Sequence, residues 1–424
     1  MERTTVAIVG AGVAGLAASA RLRAAGCNAV LVEARGRVGG RIRTLHIERW
    51  PAPVELGAEF IHGAPPELMP VASPATEGRD YTRQRGRLHP AGELAFGADG
   101  IFERMHAEAG RPDRCFADFL ASCRGASPAA HRQALSYVEG FEAADPARIS
   151  VASLIREQQA EEQEAGEEGW SGPRRPRGGY GKWLRSLQPR GPVWLRSPVE
   201  QVCWRRDQVV LRIAGGRELE ARHAIVTLPL SLLQRGWPRF DPPLAAKYVA
   251  LRHLVMGGAR RITLRLRQAL WPPDLRFLFG ASAVTASGHF PTWWAEPLPP
   301  GAAGAQITGW AAGRHASTLV GMPIEDLTRR ALADLGGLLG TAPAVLRREL
   351  VAAHSHDWQA DTYSLGGYSY AAVGGADAFA ALAEPLENTL FFAGEATDPA
   401  GHHATVQGAL RSGGRAAAEV LRGI

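Results

Sequence analysis

An α/β fold with a second, α+β domain is predicted by three short stretches at the two ends of a chain of 424 residues. The first, Val6-Ala-Ile-Val-Gly10-Ala-Gly12-Val-Ala14-Gly15, is an apolar run that breaks at a glycine turn and continues in small residues. The second, Leu31-Val-Glu33-Ala34-Arg35, puts a carboxylate at the end of another apolar run, about twenty positions on. The third, Phe391-Phe-Ala-Gly394-Glu395, stands near the other end of the chain.

A strand covered on both faces reads as a continuous apolar run, so Val6–Val9 is a buried parallel strand, and the glycine turn leads into a helix. Backbone N–H groups at that helix N-terminus can face a pyrophosphate. Glu33, at the end of the next strand, can accept from ribose hydroxyls. These elements define a Rossmann-like unit. Gly36-Arg-Val-Gly39-Gly40-Arg41 follows at once, with glycines that admit close backbone approach and an arginine fork suited to phosphate. The unit continues through Val54-Glu-Leu-Gly57-Ala58-Glu59-Phe-Ile-His62-Gly63.

From about 76 to 190 the chain turns rich in Arg, Glu, Gly and Pro, with helical patterns near 128–145 and 150–168. The acidic stretch from Glu157 to Glu168 reads as the solvated face of a helix and its trailing loop, with attraction of cationic substrates as the alternative. Strand-like runs return at Val193-Trp-Leu, Val199–Trp204, Gln208–Ile213 and His223–Leu228. A helix containing Lys247 comes next, then Arg261–Leu266 and Gln306–Trp310 as members of an antiparallel sheet, a helix over 324–339, and a last helix from Ala404 to Arg422. The pattern divides the chain into a nucleotide-binding domain (1–75, 190–235 and 385–424) and a substrate-binding domain (76–189 and 236–384).

Composition excludes several classes. With 46% hydrophobic and 21% charged residues the chain can bury a large core. It contains no run of eighteen apolar residues and no basic leader before a free hydrophobic stretch, so neither a membrane span nor export is expected. Cys27, Cys115, Cys123 and Cys203 lack C-x-x-C spacing, which argues against a metal site or a disulfide framework and fits a reducing cytoplasm. The net charge of +6 is spread along the chain, almost all of it on arginine, and makes no basic block interleaved with aromatics, so nucleic acid is not an expected partner.

Taken together, the N-terminal fingerprint with Gly39-Gly40-Arg41, Leu56-Gly57-Ala58-Glu59, Asp361-Thr-Tyr-Ser-Leu-Gly-Gly-Tyr368-Ser-Tyr370, and Phe392-Ala-Gly394-Glu395 leading to Ala404-Thr405-Val406-Gln-Gly408 resemble the flavin-dependent amine oxidases. That family includes monoamine oxidases, polyamine oxidases and flavin histone demethylases. The resemblance spans nearly the whole chain and implies FAD. It assigns cofactor contacts to Gly10, Gly12, Ala14, Gly15, Glu33, Ala34, Arg35, Gly39, Gly40, Arg41, Gly57, Ala58, Glu59, Val199, Gly394, Glu395, Thr405 and Val406. The N-terminus of the last helix would face the flavin's pyrimidine end, where its dipole stabilises the anionic reduced state.

The implied reaction passes a hydride from the α-carbon of a small-molecule primary or secondary amine to flavin N5, with O2 or another compound as electron acceptor. Oligomeric state is not legible. The implied catalytic positions are Tyr368, His402, Arg261 and Trp358. Two of them, and the residue before Tyr368, depart from the family pattern. His402 falls where a second cage tyrosine is common. Arg261 stands where many relatives carry a flavin-facing lysine, and as a permanently charged fork it either slows reaction with O2 or serves as a structural ion-pair residue. Gly367 replaces the cysteine through which some monoamine oxidases bind flavin covalently, so the FAD is expected to be non-covalent. Trp293, Trp294, Trp310 and Tyr363 read as core side chains more readily than as slot walls, while Trp358 matches the family's flavin-side tryptophan. Glu59 and His62 are candidates for polar substrate contacts. C–C desaturation of an apolar substrate, or a low-turnover flavoprotein partner, are the other functions open to such a chain.

Overall fold

The computed structural model describes residues 1–74, 76–84, 87–90, 100–165, 174–187, 191–280 and 288–423. The apolar run at the N-terminus forms the strand Glu2–Val9, whose last four residues are all buried because helices and further chain cover both faces. It pairs in parallel with Ala29–Val32 on one side and with Arg217–Val226 on the other. The long strand Arg217–Val226 is the hinge of this sheet. Its first half pairs antiparallel with Gln208–Ile213, and its second half pairs in parallel with Leu390–Phe392. The C-terminal Phe391-Phe392 run therefore enters two strands from the glycine turn, which carries Gly394 and Glu395 toward it. Val193–Trp194, Val199–Arg205 and Arg239–Asp241 complete the sheet.

Two helices lie together on one face. Val13–Ala24 packs against Val406–Gly423, and small residues set the spacing: a side chain at Gly413 would collide with the Ala14 carbonyl.

The second sheet runs in the order Leu350–His354, Ala259–Leu266, Ala305–Ala312, Thr292–Glu296, Leu275–Phe279, Arg79–Gln84, Arg87–Pro90. Strand parity sorts its side chains. Ile262, Leu264, Leu266, Ile307 and Trp293 point to a core shared with Leu327, Ala331 and Leu335 of the helix Ile324–Leu339. Arg261, Trp294 and Trp310 take the opposite face, and the register pairs Arg261 with Trp310.

A layer of helices, Ile101–His106, Phe116–Ser122, Pro128–Gly140 and Val151–Ala165, packs around Phe116, Phe119, Leu154 and Ile155. Ser127 caps one of them by accepting from the Ala130 N–H at 3.1 Å, with Pro128 in the first turn. Lys247, expected within a helix, ends the 3₁₀ turn Ala245–Lys247 just before the helix Tyr248–His253. Its Nζ donates to the carbonyls of Ala381 and Glu384 at 2.7 and 2.5 Å, so this buried lysine ties its own segment to the helix Ala378–Ala383. Among the described residues no helix is long and apolar enough to cross a membrane.

Candidate active site

A single cavity of about 1460 Å³ runs from the glycine turn to the second sheet. Ligand pockets for one drug-sized molecule are about 300–1,000 Å³, so this one has room for a dinucleotide and a second ligand.

Its first half is built from backbone. Gly10 adopts φ +105°, a conformation that favours glycine, and Gly12 caps the helix Val13–Ala24 with no side-chain hydrogen bond. The first-turn N–H groups thus have no intrahelical partner and face the cavity through Gly12, Val13 and Ala14. Gly15 does not line it. A Cβ there would run into the Gly10 carbonyl oxygen, so Gly15 holds helix to turn behind the cavity surface. The Glu33 carboxylate accepts from the backbone N–H groups of Ala11 at 2.8 Å and Arg35 at 2.7 Å, which fixes it at the cavity wall. Ala34, Gly39, Gly40 and Val199 line the same region, and Gly12 and Gly40 approach so closely that a Cβ on Gly40 would sit 3.2 Å from the Gly12 Cα.

Arg35 lines the cavity too, and its guanidinium is held within the protein. It forms a two-pronged salt bridge to Asp361 at 2.9 and 2.6 Å, while its guanidinium lies 5.3 Å from the Tyr363 ring centroid and 5.9 Å from that of Trp358. Burial acts against the charged Asp361, but His356 and Arg35 outweigh it and hold the carboxyl far below the usual carboxylate range.

The middle of the cavity is a charged wall. Arg41 donates one nitrogen to the Gly367 carbonyl at 2.7 Å and to Glu395 at 2.9 Å. Its other guanidinium nitrogens have no protein hydrogen bond among the described residues. Glu395 also accepts from the Ser369 hydroxyl at 2.5 Å and the Ala404 N–H at 3.1 Å, which ties the Tyr368 segment to the start of the last helix. Ala404, Thr405 and Val406 line the cavity at that helix N-terminus, as do Gly57, Ala58, Gly394 and Trp358, whose indole donates to the Leu56 carbonyl at 2.7 Å.

The far half is aromatic. Tyr368, Trp294, Trp310, Phe60, Phe141 and His62 line it. Burial holds His62 neutral, pushed down to about 4. Arg261 reaches the cavity wall, but its guanidinium is engaged by Glu59 and by the Gly57 carbonyl at 3.0 Å, and it lies 5.5 Å from the Trp294 ring centroid. Glu59 binds Arg175 and the Trp294 indole as well, at 2.7 and 2.9 Å.

This geometry revises parts of the sequence reading. His402 is not among the cavity-lining residues: its N–H donates to Asp398 at 3.1 Å and its carbonyl accepts from Thr405 at 2.6 Å, so it shapes the loop before the last helix. Its neighbour His403 is buried against Phe379, with ring centroids 4.1 Å apart. Trp294, Trp310 and Tyr363 are walls, and of the four aromatics expected in the core only Trp293 is there. The acidic stretch is a solvated face only in part: Glu162 and Gln163 are exposed, but Glu157 is buried. Glu157, Glu161 and Glu162 line the cavity, while 166–168 lie outside the described residues. Glu142, Tyr137, Trp237 and Phe277 also line it and gave no local sequence signal.

Comparison with known proteins decides the family. A model of the flavin containing amine oxidoreductases matches residues 86–421, and one of NAD(P)-binding Rossmann-like domains matches 8–73. The chain belongs to the flavin-containing amine oxidoreductases. Among the relatives of this amine oxidoreductase, polyamine oxidase 3 of Oryza sativa subsp. japonica is 27% identical over 97% of this chain and 88% of its own. Lysine-specific histone demethylase 1 homolog 2 of the same plant is 27% identical, but the chain spans only 57% of its length. Solved structures with the same fold include putrescine oxidase bound to putrescine and cyclohexylamine oxidase from Brevibacterium oxydans IH-35A, each with a TM-score of 0.80 and 21% identity over 99% of both chains.

The cavity of this amine oxidoreductase fits a flavin dinucleotide on its own evidence. It offers partnerless helix N–H donors for phosphate, a fixed carboxylate for ribose, and a second helix N-terminus beside the charged wall. Its acidic corner makes a stability prediction. Burial and the nearby Glu161 raise Glu142 to about 8, with Tyr137 and Glu157 hydrogen-bonded to it and Tyr368 close by. The folded chain then keeps a proton that the unfolded chain releases above the ordinary carboxylate value, so this group's contribution to stability falls as pH rises from about 4.5 to about 8. Glu142→Gln removes that loss. Urea midpoints are expected to show the variant gaining on the parent between pH 5 and pH 8, by an amount on the order of 1–2 kcal/mol.

Proposed function

We propose that this enzyme holds FAD without a covalent bond and oxidises a primary or secondary amine. The observation that carries the reading is the continuity of one cavity from the glycine turn, past the Arg41–Glu395 wall, to an aromatic arm closed by Tyr368, Trp294 and Trp310. Bound FAD supplies the acceptor for a hydride from the substrate α-carbon, leaving an imine that water hydrolyses to an aldehyde or ketone. The protein's part is orientation and drying. Tyr368, whose hydroxyl is spent on the Phe141 carbonyl at 2.5 Å, offers its ring face, and burial together with Glu142 and Glu157 keeps its hydroxyl protonated. Such a wall favours the neutral amine, which alone has the lone pair that assists C–H cleavage. Gly367 before Tyr368, and the absence of Cys27, Cys115, Cys123 and Cys203 from the cavity lining, support a non-covalent flavin.

Arg261 supports a further point about the acceptor. With its guanidinium engaged by Glu59 and Gly57, it presents no mobile ammonium to the flavin, and electrons leave chiefly to an acceptor other than O2. An anaerobic panel of primary and secondary amines is expected to bleach the flavin, and acid precipitation to release it into the supernatant. Mixing the reduced enzyme with air-saturated buffer should restore the yellow colour slowly. Bleaching only by polyenes or apolar polycycles would move the chemistry to C–C desaturation, and rapid peroxide formation would refute the reading of Arg261.

A further inference from the structure

We propose that Glu142, Glu157 and Glu161 form a cation subsite for a second, charged nitrogen of the amine, so that the substrate is a linear diamine or polyamine. The proposal rests on the amine oxidation argued above and adds to it the shape and charge of the substrate. Glu157 and Glu161 stand one turn apart on the helix Val151–Ala165, Glu142 follows the helix Pro128–Gly140, and all three line the cavity.

What distinguishes them is the lack of a countercharge. The other buried carboxylates of this cavity are matched: Glu59 by Arg261 and Arg175, Glu395 by Arg41, and Glu33 by two backbone N–H groups. Glu142 and Glu157 are only 4% and 7% exposed, yet no arginine or lysine lies within 4 Å of either among the described residues. Their hydrogen bonds run to each other and to Tyr137. The nearest basic group, the His403 Nε2, is 3.6 Å from Glu157, but burial pushes that ring down to about 4 and leaves it neutral. Glu161 has no hydrogen bond or ion pair to any described residue. Carboxylates taken out of water without a partner cost stability and contribute nothing to packing. A cavity wall that carries two such buried carboxyls, with the half-buried Glu161 beside them, is suited to a ligand that brings a positive charge to take the place of their protons.

Their place relative to the reacting end sets the ligand's form. Tyr368 donates to the Phe141 carbonyl at 2.5 Å and Trp310 to the Gly140 carbonyl at 2.8 Å, so the residue next in line, Glu142, is fastened beside the aromatic arm. The acidic wall and the aromatic wall belong to one cavity and face different chemistry. One favours a charged ammonium, the other a neutral amine. An apolar carbon chain with a nitrogen at each end satisfies both.

The test compares 1,4-diaminobutane with n-butylamine on the holoenzyme. Anaerobic flavin reduction is expected to favour the diamine in kcat/KM by at least about tenfold, and in Glu157→Gln that ratio should fall toward one, mainly through KM. Calorimetry on holoenzyme whose flavin has been reduced with dithionite reads binding without turnover. There the diamine should bind the parent and lose at least about tenfold in Glu157→Gln. Equal treatment of the two amines by the parent enzyme overturns the subsite, and that comparison needs no variant to fold. Glu157-dependent diamine binding without flavin reduction by any amine would keep the subsite and overturn the amine-oxidation reading instead.

Discussion

Glu59→Ala is expected to destabilise the protein by about 3–5 kcal/mol, the range found when one partner of a buried ion pair is removed. Glu59 is 7% exposed and accepts from three donors: the Arg261 guanidinium, the Arg175 Nε at 2.7 Å and the Trp294 indole at 2.9 Å. Burial works against its charge, but Arg261 and then Arg175 outweigh that and hold the carboxyl below its ordinary value. Taking it away leaves Arg261, itself 3% exposed, with no other carboxylate within 4 Å among the described residues, and leaves Arg175 with Glu296 at 3.2 Å. A surface pair such as Arg3–Glu220 sets the contrast, since exposed bridges contribute about 0–1 kcal/mol. Glu59→Gln should fall between, because an amide keeps the acceptor for Trp294 and loses the charge. A group with a depressed pKa contributes stability above its unfolded value and loses it as pH falls. The gap between parent and Glu59→Gln should therefore be full at neutral pH and close only below the ordinary carboxylate range. Urea midpoints of the two variants at pH 7 and pH 4 check both parts, and a Glu59→Ala protein within about 1 kcal/mol of the parent would refute the account.

The parts of this fold that were legible in the sequence are those that depend on backbone chemistry. A strand buried on both faces must be apolar throughout, a turn at φ +105° favours glycine at position 10, and a helix that meets a phosphate must start with small residues. These demands are local, so Gly10, Gly12, Gly39, Gly40 and the Gly394-Glu395 wall could be read without knowing what packs against them.

The rest depends on which distant segments meet. Trp293 and Trp294 are neighbours, and only the strand register sends one to the core and the other to the cavity. Arg35 lines the cavity as its position implies, but nothing local records that its guanidinium pairs with Asp361, 326 residues away. The acidic helix misled for a related reason. A run of glutamates is usually a solvated face, and nothing in the stretch itself records that Glu142 arrives opposite Glu157 once the helices Pro128–Gly140 and Val151–Ala165 are brought together. His402 is placed by motif register alone, which does not record that its backbone is tied to Asp398 and Thr405 and that it stays outside the cavity lining.

The glycine turn offers the sharper test, because two of its glycines should fail in different ways. A Cβ on Gly15 would overlap the Gly10 carbonyl oxygen and come within 3.2 Å of the Thr227 hydroxyl. The first of these is backbone in a turn already fixed at φ +105°, so the helix Val13–Ala24 has to lift away from the strand. Lifting it withdraws the first-turn N–H groups from the site where a pyrophosphate would lie, and Gly15→Ala is expected to lose both stability and flavin. At Gly12 the nearest atom to a new Cβ is the Gly40 Cα at 3.9 Å, an ordinary contact. Gly12→Ala should therefore fold with a midpoint within about 1 kcal/mol of the parent. It would still bind flavin at least about tenfold more weakly, since the added methyl group occupies the cavity surface where backbone must approach the phosphates. Gly414, in the helix Val406–Gly423 with nothing within 4 Å of a new Cβ, is the control: alanine there should stabilise by about 0.5–1 kcal/mol through helix propensity. Flavin absorbance per polypeptide, read beside the urea midpoint for all three variants, separates the two roles. If Gly12→Ala kept full flavin affinity, the turn would be a packing device and the nucleotide would have to bind elsewhere in the cavity.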